Sequence, residues 1–113
     1  MSPKDAHKAT ARLLDLPEKT DAIFGINDIV AFAAMKEIKR RGLRIPEDVA
    51  LVGFTDEFHS TVVDPPLTSI THPTFEIGQK AAHLFFKQIE NPESEPEQVV
   101  LNTKLVVRKS SVK

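Results

Sequence analysis

A chain of 113 residues, 41% hydrophobic and 27% charged, has the length and composition of one ordinary globular domain with a core of moderate size. A formal net charge of −1 is a poor basis for gripping a phosphate backbone, and no apolar run approaches the ~20 residues of a membrane span. The absence of cysteine excludes disulfides and thiolate metal sites, and no secretory leader opens the sequence, so a cytoplasmic location and no membrane partner are expected.

Taken in order, Ser2 and Pro3 read as the cap and first position of a helix, with Asp5 placed to complete a capping box. Ala6, Ala9, Leu13 and Leu14 mark its apolar face, and it ends before Pro17. No strand precedes this helix, so the sequence looks cut from the middle of an alternating α/β pattern. The segment DAIFGI from Asp21 is a short strand, broken at Asn27 and Asp28, whose side chains suit a helix start. The run IVAFAAMKEI is too long for a strand and carries helix-favouring Ala and Met; it closes at Lys39, Arg40 and Arg41, with Gly42 just beyond. After RIPED, VALVGF is continuously apolar, the pattern of a strand buried on both faces of a parallel sheet. Residues 21–54 therefore form a βαβ crossover.

The segment TDEFHSTVVDPP has no clean period and reads as a loop with one turn of helix. LTSITH alternates as a short strand. Thr74 follows Pro73 as a helix cap, and Ile77, Ala81, Phe85 and Ile89 recur at helical spacing up to Asn91 and Pro92. The acidic ESEPEQ is a surface loop. Leu101, Thr103, Leu105 and Val107 then alternate with polar residues, so the end of the chain contains strand. Ligands of parallel α/β sheets bind beyond the carboxyl ends of the strands. Asn27 and Asp28 leave one strand there and Thr55 and Asp56 leave the next, which makes these four the candidate ligand-binding residues.

Five segments in register, DAIFGIND, GLRIPEDVALVGF, PPLTSITHP, IGQKAA and LVVRKSS, resemble bacterial transcription regulators of the LacI/GalR type. The resemblance implies an α/β, three-layer αβα fold with a mainly parallel sheet, a partial lobe of the periplasmic-binding-protein-like type I architecture. It implies a carboxyl-side lobe built from residues 1–72 and 98–113, with 73–97 forming a helix and loop of the other lobe. The implied function is to sense a sugar or related small metabolite and control operator binding through a helix-turn-helix that these residues lack. The family uses the position matching Asn27 to bond effector hydroxyls. It usually carries an acid where this chain has Thr55, and a hydroxyl there brings no charge. Asp56 is retained, and for Asp28 capping is the favoured reading.

Residues Ile29 to Met35 include no polar side chain, more apolar surface than one sheet face needs, so a second copy of the chain is expected against this helix. The resemblance agrees, and matching positions assign Phe32, Met35, Val62 and Val63 to a homodimer interface. Lys36, Lys39, Arg40, Arg41 and Arg44 read as the solvated side and end of the helix. The four histidines have no metal-ligand spacing, and no phosphate loop, dinucleotide motif or nucleophile elbow is present, so neither metal, cofactor nor catalytic residues are expected. Two alternatives stand beside the regulator: an exported sugar-binding protein of the same fold, and a small α/β enzyme using Asp28, Asp56 and a histidine.

Overall fold

The computed structural model describes residues 2–113. Helix α1 spans Pro3–Leu14, and its capping box forms: Ser2 Oγ accepts from the Asp5 N–H at 3.2 Å while the Asp5 carboxylate accepts from the Ser2 N–H at 3.1 Å. Ala6 is buried as expected, with Thr10 beside it; Leu14 packs partly against the core, and Leu13 is exposed. Thr10 tolerates burial because its hydroxyl donates to the Ala6 carbonyl at 2.8 Å.

Strand β1 (Ala22–Phe24), helix α2 (Asp28–Arg40) and strand β2 (Ala50–Thr55) complete the crossover, with Ile23 opposite Leu51 in a parallel pair. Asn27 caps α2, its Oδ1 accepting from the Val30 N–H at 2.9 Å. At the other end Gly42 adopts φ +72°, which lets its N–H reach the Lys39 carbonyl and the Leu43 N–H reach that of Ile38.

The one-turn helix α3 (His59–Val62) leads to strand β3 (Thr68–Thr71), which pairs in parallel with β2. Helix α4 covers Thr74–Glu90. Thr74 is not its cap: Pro73 occupies that position without a side-chain bond, and Thr74 is already helical. Of the alternating run near the carboxyl end, only Leu105–Val106 pairs, as an antiparallel strand β4 on β3. The sheet order is β1-β2-β3-β4.

The core lies between α2 and the sheet, where Ala31, Ala34, Met35 and Ile38 meet Leu51 and Leu67. Helix α1 stacks on α2. Among the described residues, no helix packs on the opposite face of the sheet. Phe24 is 57% and Leu105 59% exposed there, and Val52 and Phe54 are half-buried, so β2 is buried on one face instead of both. The chain thus supplies the sheet and one helical side of an αβα sandwich. Helix α4 buries none of its residues, and the 58 Å long axis with an 18.2 Å radius of gyration, against about 13 Å for a compact chain of this length, shows it extending away from the core.

The stacking of α1 on α2 is held by a buried charge. Glu37 has no exposed surface; Arg40 donates to it through Nε and Nη2 at 2.7 and 2.8 Å, Arg41 through Nε at 2.8 Å, and His7 Nε2 of α1 lies 3.2 Å away. Arg41 continues to Asp15 at 2.5 Å, joining the two helix ends. Hydrogen bonds from Arg40 and then Arg41 hold the Glu37 carboxyl down to about 2, below its ordinary 4.5. A depressed carboxyl contributes stability that is fully present above the ordinary value and is lost as pH falls through the folded value. Urea-unfolding midpoints are therefore expected to drop from about pH 4.5 towards pH 2, and Glu37→Gln is expected to flatten that limb. The flattening is partial, because Asp48, held by Arg44, is also at about 2 and titrates in the same window. A Glu37→Gln limb identical to the parent's would show that this carboxylate is not the source.

Candidate functional site

The carboxyl ends of β1 and β2 do come together around an open crevice of about 430 Å³, whose walls include Ile26, Asn27, Phe54, Thr55, Glu57 and His72. Asn27 reaches it from the end of β1. Its Oδ1 is occupied by the Val30 N–H, and its Nδ2 meets no acceptor among the described residues, so the amide can cap the helix and still donate to a ligand. Thr55 reaches it from the end of β2, with its hydroxyl donating to the Phe54 carbonyl and its oxygen lone pairs still able to accept.

Backbone strain is concentrated at this point. Thr55 and Asp56 have φ of 126° and 52°, a left-handed pair made of a β-branched and an acidic residue. Each such outlier costs roughly 1–3 kcal/mol and persists only where the surroundings hold it. Here the Asp56 N–H donates to Ser69 Oγ at 3.0 Å, and Arg108 Nη1 stands 2.7 Å from Asp56 Oδ1 in an ion pair. Arg108 is fixed in turn by donating to the Leu67 carbonyl at 2.8 Å.

These contacts take the Asp56 side chain away from the crevice and occupy the carboxylate of Asp28, which stays in the crevice wall without exposed surface. The Asp56 carboxylate turns to Arg108 and does not line the crevice. Asp28 is 0% exposed, and its carboxylate accepts from the Glu57 N–H and from the hydroxyls of Ser60 and Ser69. Nor is Asp28 the cap, since Asn27 holds that role. With both acids held by neighbours, the enzyme alternative is left without a free base from this pair.

In their place the structure brings in Glu57, Phe54 and His72. The rings of Phe54 and His72 meet edge to face with centroids 5.5 Å apart, and both also wall a second groove of about 490 Å³ beneath α4. Glu57 adjoins Asp56 in sequence, which was signal enough to include it. Ser60, Ser69 and Arg108 offered none, because isolated serines and a terminal arginine are ordinary loop and surface residues until the fold places them.

On the far side of α2, Phe32 and Ile29 floor a groove of about 680 Å³ against α1, with Lys4, Lys8 and Lys36 at its rim. Among the residues expected at an interface, Phe32 is half-buried there and Val62 is exposed. Met35 is not available: it is 5% exposed and belongs to the core beneath α2. Val63 likewise packs partly against that core. The exposed apolar surface continues instead through Ile29 and Phe58, at 55% and 74%.

The family of periplasmic binding protein-like domains matches residues 2–111. The HTH-type transcriptional regulator CelR of Thermobifida fusca is 38% identical over 102 residues, 90% of this chain and 30% of its own length. The HTH-type transcriptional repressor CytR of Escherichia coli K12 is 36% identical over 104 residues, 92% of this chain and again 30% of its own. This chain therefore spans about a third of the length of the curated relatives it matches. Among solved structures, a complex of the transcriptional regulator CelR with cellobiose superposes with a TM-score of 0.92 at 35% identity, over 98% of this chain and 34% of that one. A LacI family transcriptional regulator from Enterococcus faecium with bound ribose gives 0.84 at 32% identity, over 98% and 41%.

Proposed function

This chain belongs to the periplasmic-binding-protein-like family of LacI-type transcription regulators, and from that premise we propose that it is the effector-sensing part of such a regulator, forming one bank of a crevice for a sugar or related small metabolite. The observation that carries the reading is the meeting of Asn27 and Thr55, from two adjacent parallel strand ends, on one crevice wall. Residues 1–72 and 98–113 would form one lobe and 73–97 part of another, a division supported by the absence of any buried residue on α4. Operator binding would belong to a helix-turn-helix outside these residues, with the whole protein acting in the cytoplasm. No helix among the described residues is long and apolar enough to cross a membrane. The neutral Thr55, at a position where an acid is usual in this family, favours an effector not gripped by a charge there.

The test is a titration of the isotope-labelled chain with cellobiose and with ribose, followed by amide and side-chain NMR. Shifts are expected at Asn27, Thr55, Glu57 and His72, at millimolar concentrations because only one bank of the crevice is present. Asn27→Asp retains the capping oxygen and removes the donor, so it isolates the ligand role. It is expected to weaken binding by about 1–3 kcal/mol with little loss of fold stability. Asn27→Ala is expected to lose about 1 kcal/mol of stability in addition, through the missing cap. Unchanged titration curves for Asn27→Asp would remove this residue from the site, and shifts confined to other surfaces would remove the crevice.

The same premise supports a second copy of the chain as partner. Ile29, Phe58 and Val62 are exposed beside the half-buried Phe32, and a contiguous apolar surface of this kind is a recognised mark of association.

A further inference from the structure

Asp28 lies in the crevice wall, but its carboxylate has no exposed surface and is not the helix cap, and its bonds reach three other parts of the fold. Oδ2 accepts from the Glu57 N–H at 2.8 Å and from the Ser60 hydroxyl of α3 at 2.7 Å. Oδ1 accepts from the Ser69 hydroxyl of β3 at 2.5 Å. Ser69 Oγ then accepts from the Asp56 N–H, which extends the same chain of bonds into the strained pair beside the crevice. Removing a carboxylate from water is costly unless its oxygens are fully bonded. These bonds satisfy both oxygens, and Gly53 keeps the space open, since a Cβ there would stand 2.2 Å from Oδ1.

What the carboxylate joins is more informative than its burial. On one side, Asn27 precedes it and Thr55 and Glu57 line the crevice. On the other, Ser60 anchors α3, which carries the exposed Val62 and sets His59 edge-on to Phe32, with centroids 6.4 Å apart. We propose that Asp28 is a positioning residue that makes the crevice edge and α3 one mechanical unit, so that a ligand displacing residues 55–57 moves the apolar surface at Val62 with them. This rests on the crevice being the effector site and extends that reading to how occupancy is passed to an association surface. The Asp28 carboxylate, buried and fully bonded, acts through these neighbours.

Chain continuity alone would carry a change at Ser60 to Glu57, three residues away. Carrying it to Asn27 requires the carboxylate, whereas Ser69 is also reached through the Ser60 carbonyl, which accepts from the Leu67 N–H at 2.8 Å. The test compares amide exchange and NMR shifts of the ligand-free 113-residue chain with those of Ser60→Ala, Asp28→Asn and the double variant. Ser60→Ala is expected to speed exchange of the Glu57 amide by about tenfold and to shift Asn27 and Ser69, while the core amides of Ile38 and Leu51 keep their rates. In the Asp28→Asn background the same substitution is expected to add nothing at Asn27. Should circular dichroism show Asp28→Asn unfolded, Ser69→Ala takes its place in the cycle. Changes confined to residues 57–63, or acceleration shared equally by Ile38 and Leu51, would overturn the proposal. No ligand enters the measurement, so its outcome is independent of whether the crevice proves to bind an effector.

Discussion

Gly53→Ala is expected to remove a large share of the stability of the fold. The added methyl would lie 2.2 Å from Asp28 Oδ1 and 3.0 Å from a methyl of Leu67, both enclosed. Leu67 is 0% exposed and has little room to give. Asp28 can move only by releasing Ser69, and with it the bond that steadies Asp56. Overpacking typically costs about 1–3 kcal/mol and a stranded buried partner about the same again, so a loss of roughly 4 kcal/mol is expected from a total that rarely exceeds about 15. Urea titration by circular dichroism measures it. Pairing the substitution with Asp28→Ala removes the closest clash, so the double variant should lose less than the sum of the two single losses. A loss below about 1 kcal/mol for Gly53→Ala would mean that the carboxylate swings aside freely and is not fixed as described.

Phe32→Glu is expected to convert an associating chain into a folded monomer. In the structure Phe32 sits in the groove between α1 and α2, with Ile29 one turn before it and His59 against its edge. A carboxylate placed there and covered by a second chain without a partner costs several kcal/mol, enough to move a micromolar equilibrium beyond ordinary working concentrations. Because Phe32 also packs partly on the core, Ile29→Glu serves as the companion: Ile29 is outside the core cluster and 55% exposed, although it also borders the crevice, so the readout is association and not ligand binding. Light scattering of both variants and the parent, with circular dichroism to confirm folding, gives the result. A parent that remains monomeric at tens of micromolar, or variants that remain dimeric, would place the interface elsewhere.

At several turns and caps local chemistry was a sufficient guide, though not at Thr74, which is helical where a cap was expected. The capping box at Ser2 and Asp5, the cap at Asn27 and the left-handed Gly42 are decided within four or five residues, and each forms as its residue types require. The crossover follows from periodicity, and its geometry delivers Asn27 and Thr55 to one crevice as strand-end residues of a parallel pair must be. The family was legible for the same reason, since five short segments kept their order and spacing.

Beyond that range the tertiary structure decided. Whether Asp28 and Asp56 face a ligand or the protein depends on Ser60, Ser69 and Arg108, which lie between 32 and 52 residues away in sequence and reveal nothing of their proximity until the sheet forms. Met35 and Ile29 are equally apolar on the same helix, and only the direction from which the sheet approaches α2 makes one core and the other surface. The sequence by itself therefore determined the elements, their order and the edge of the sheet where the candidate crevice opens. Which of two neighbouring polar or apolar residues faces outward was settled by contacts between distant segments, because burial and hydrogen-bond satisfaction belong to the assembled fold and to no window of the chain.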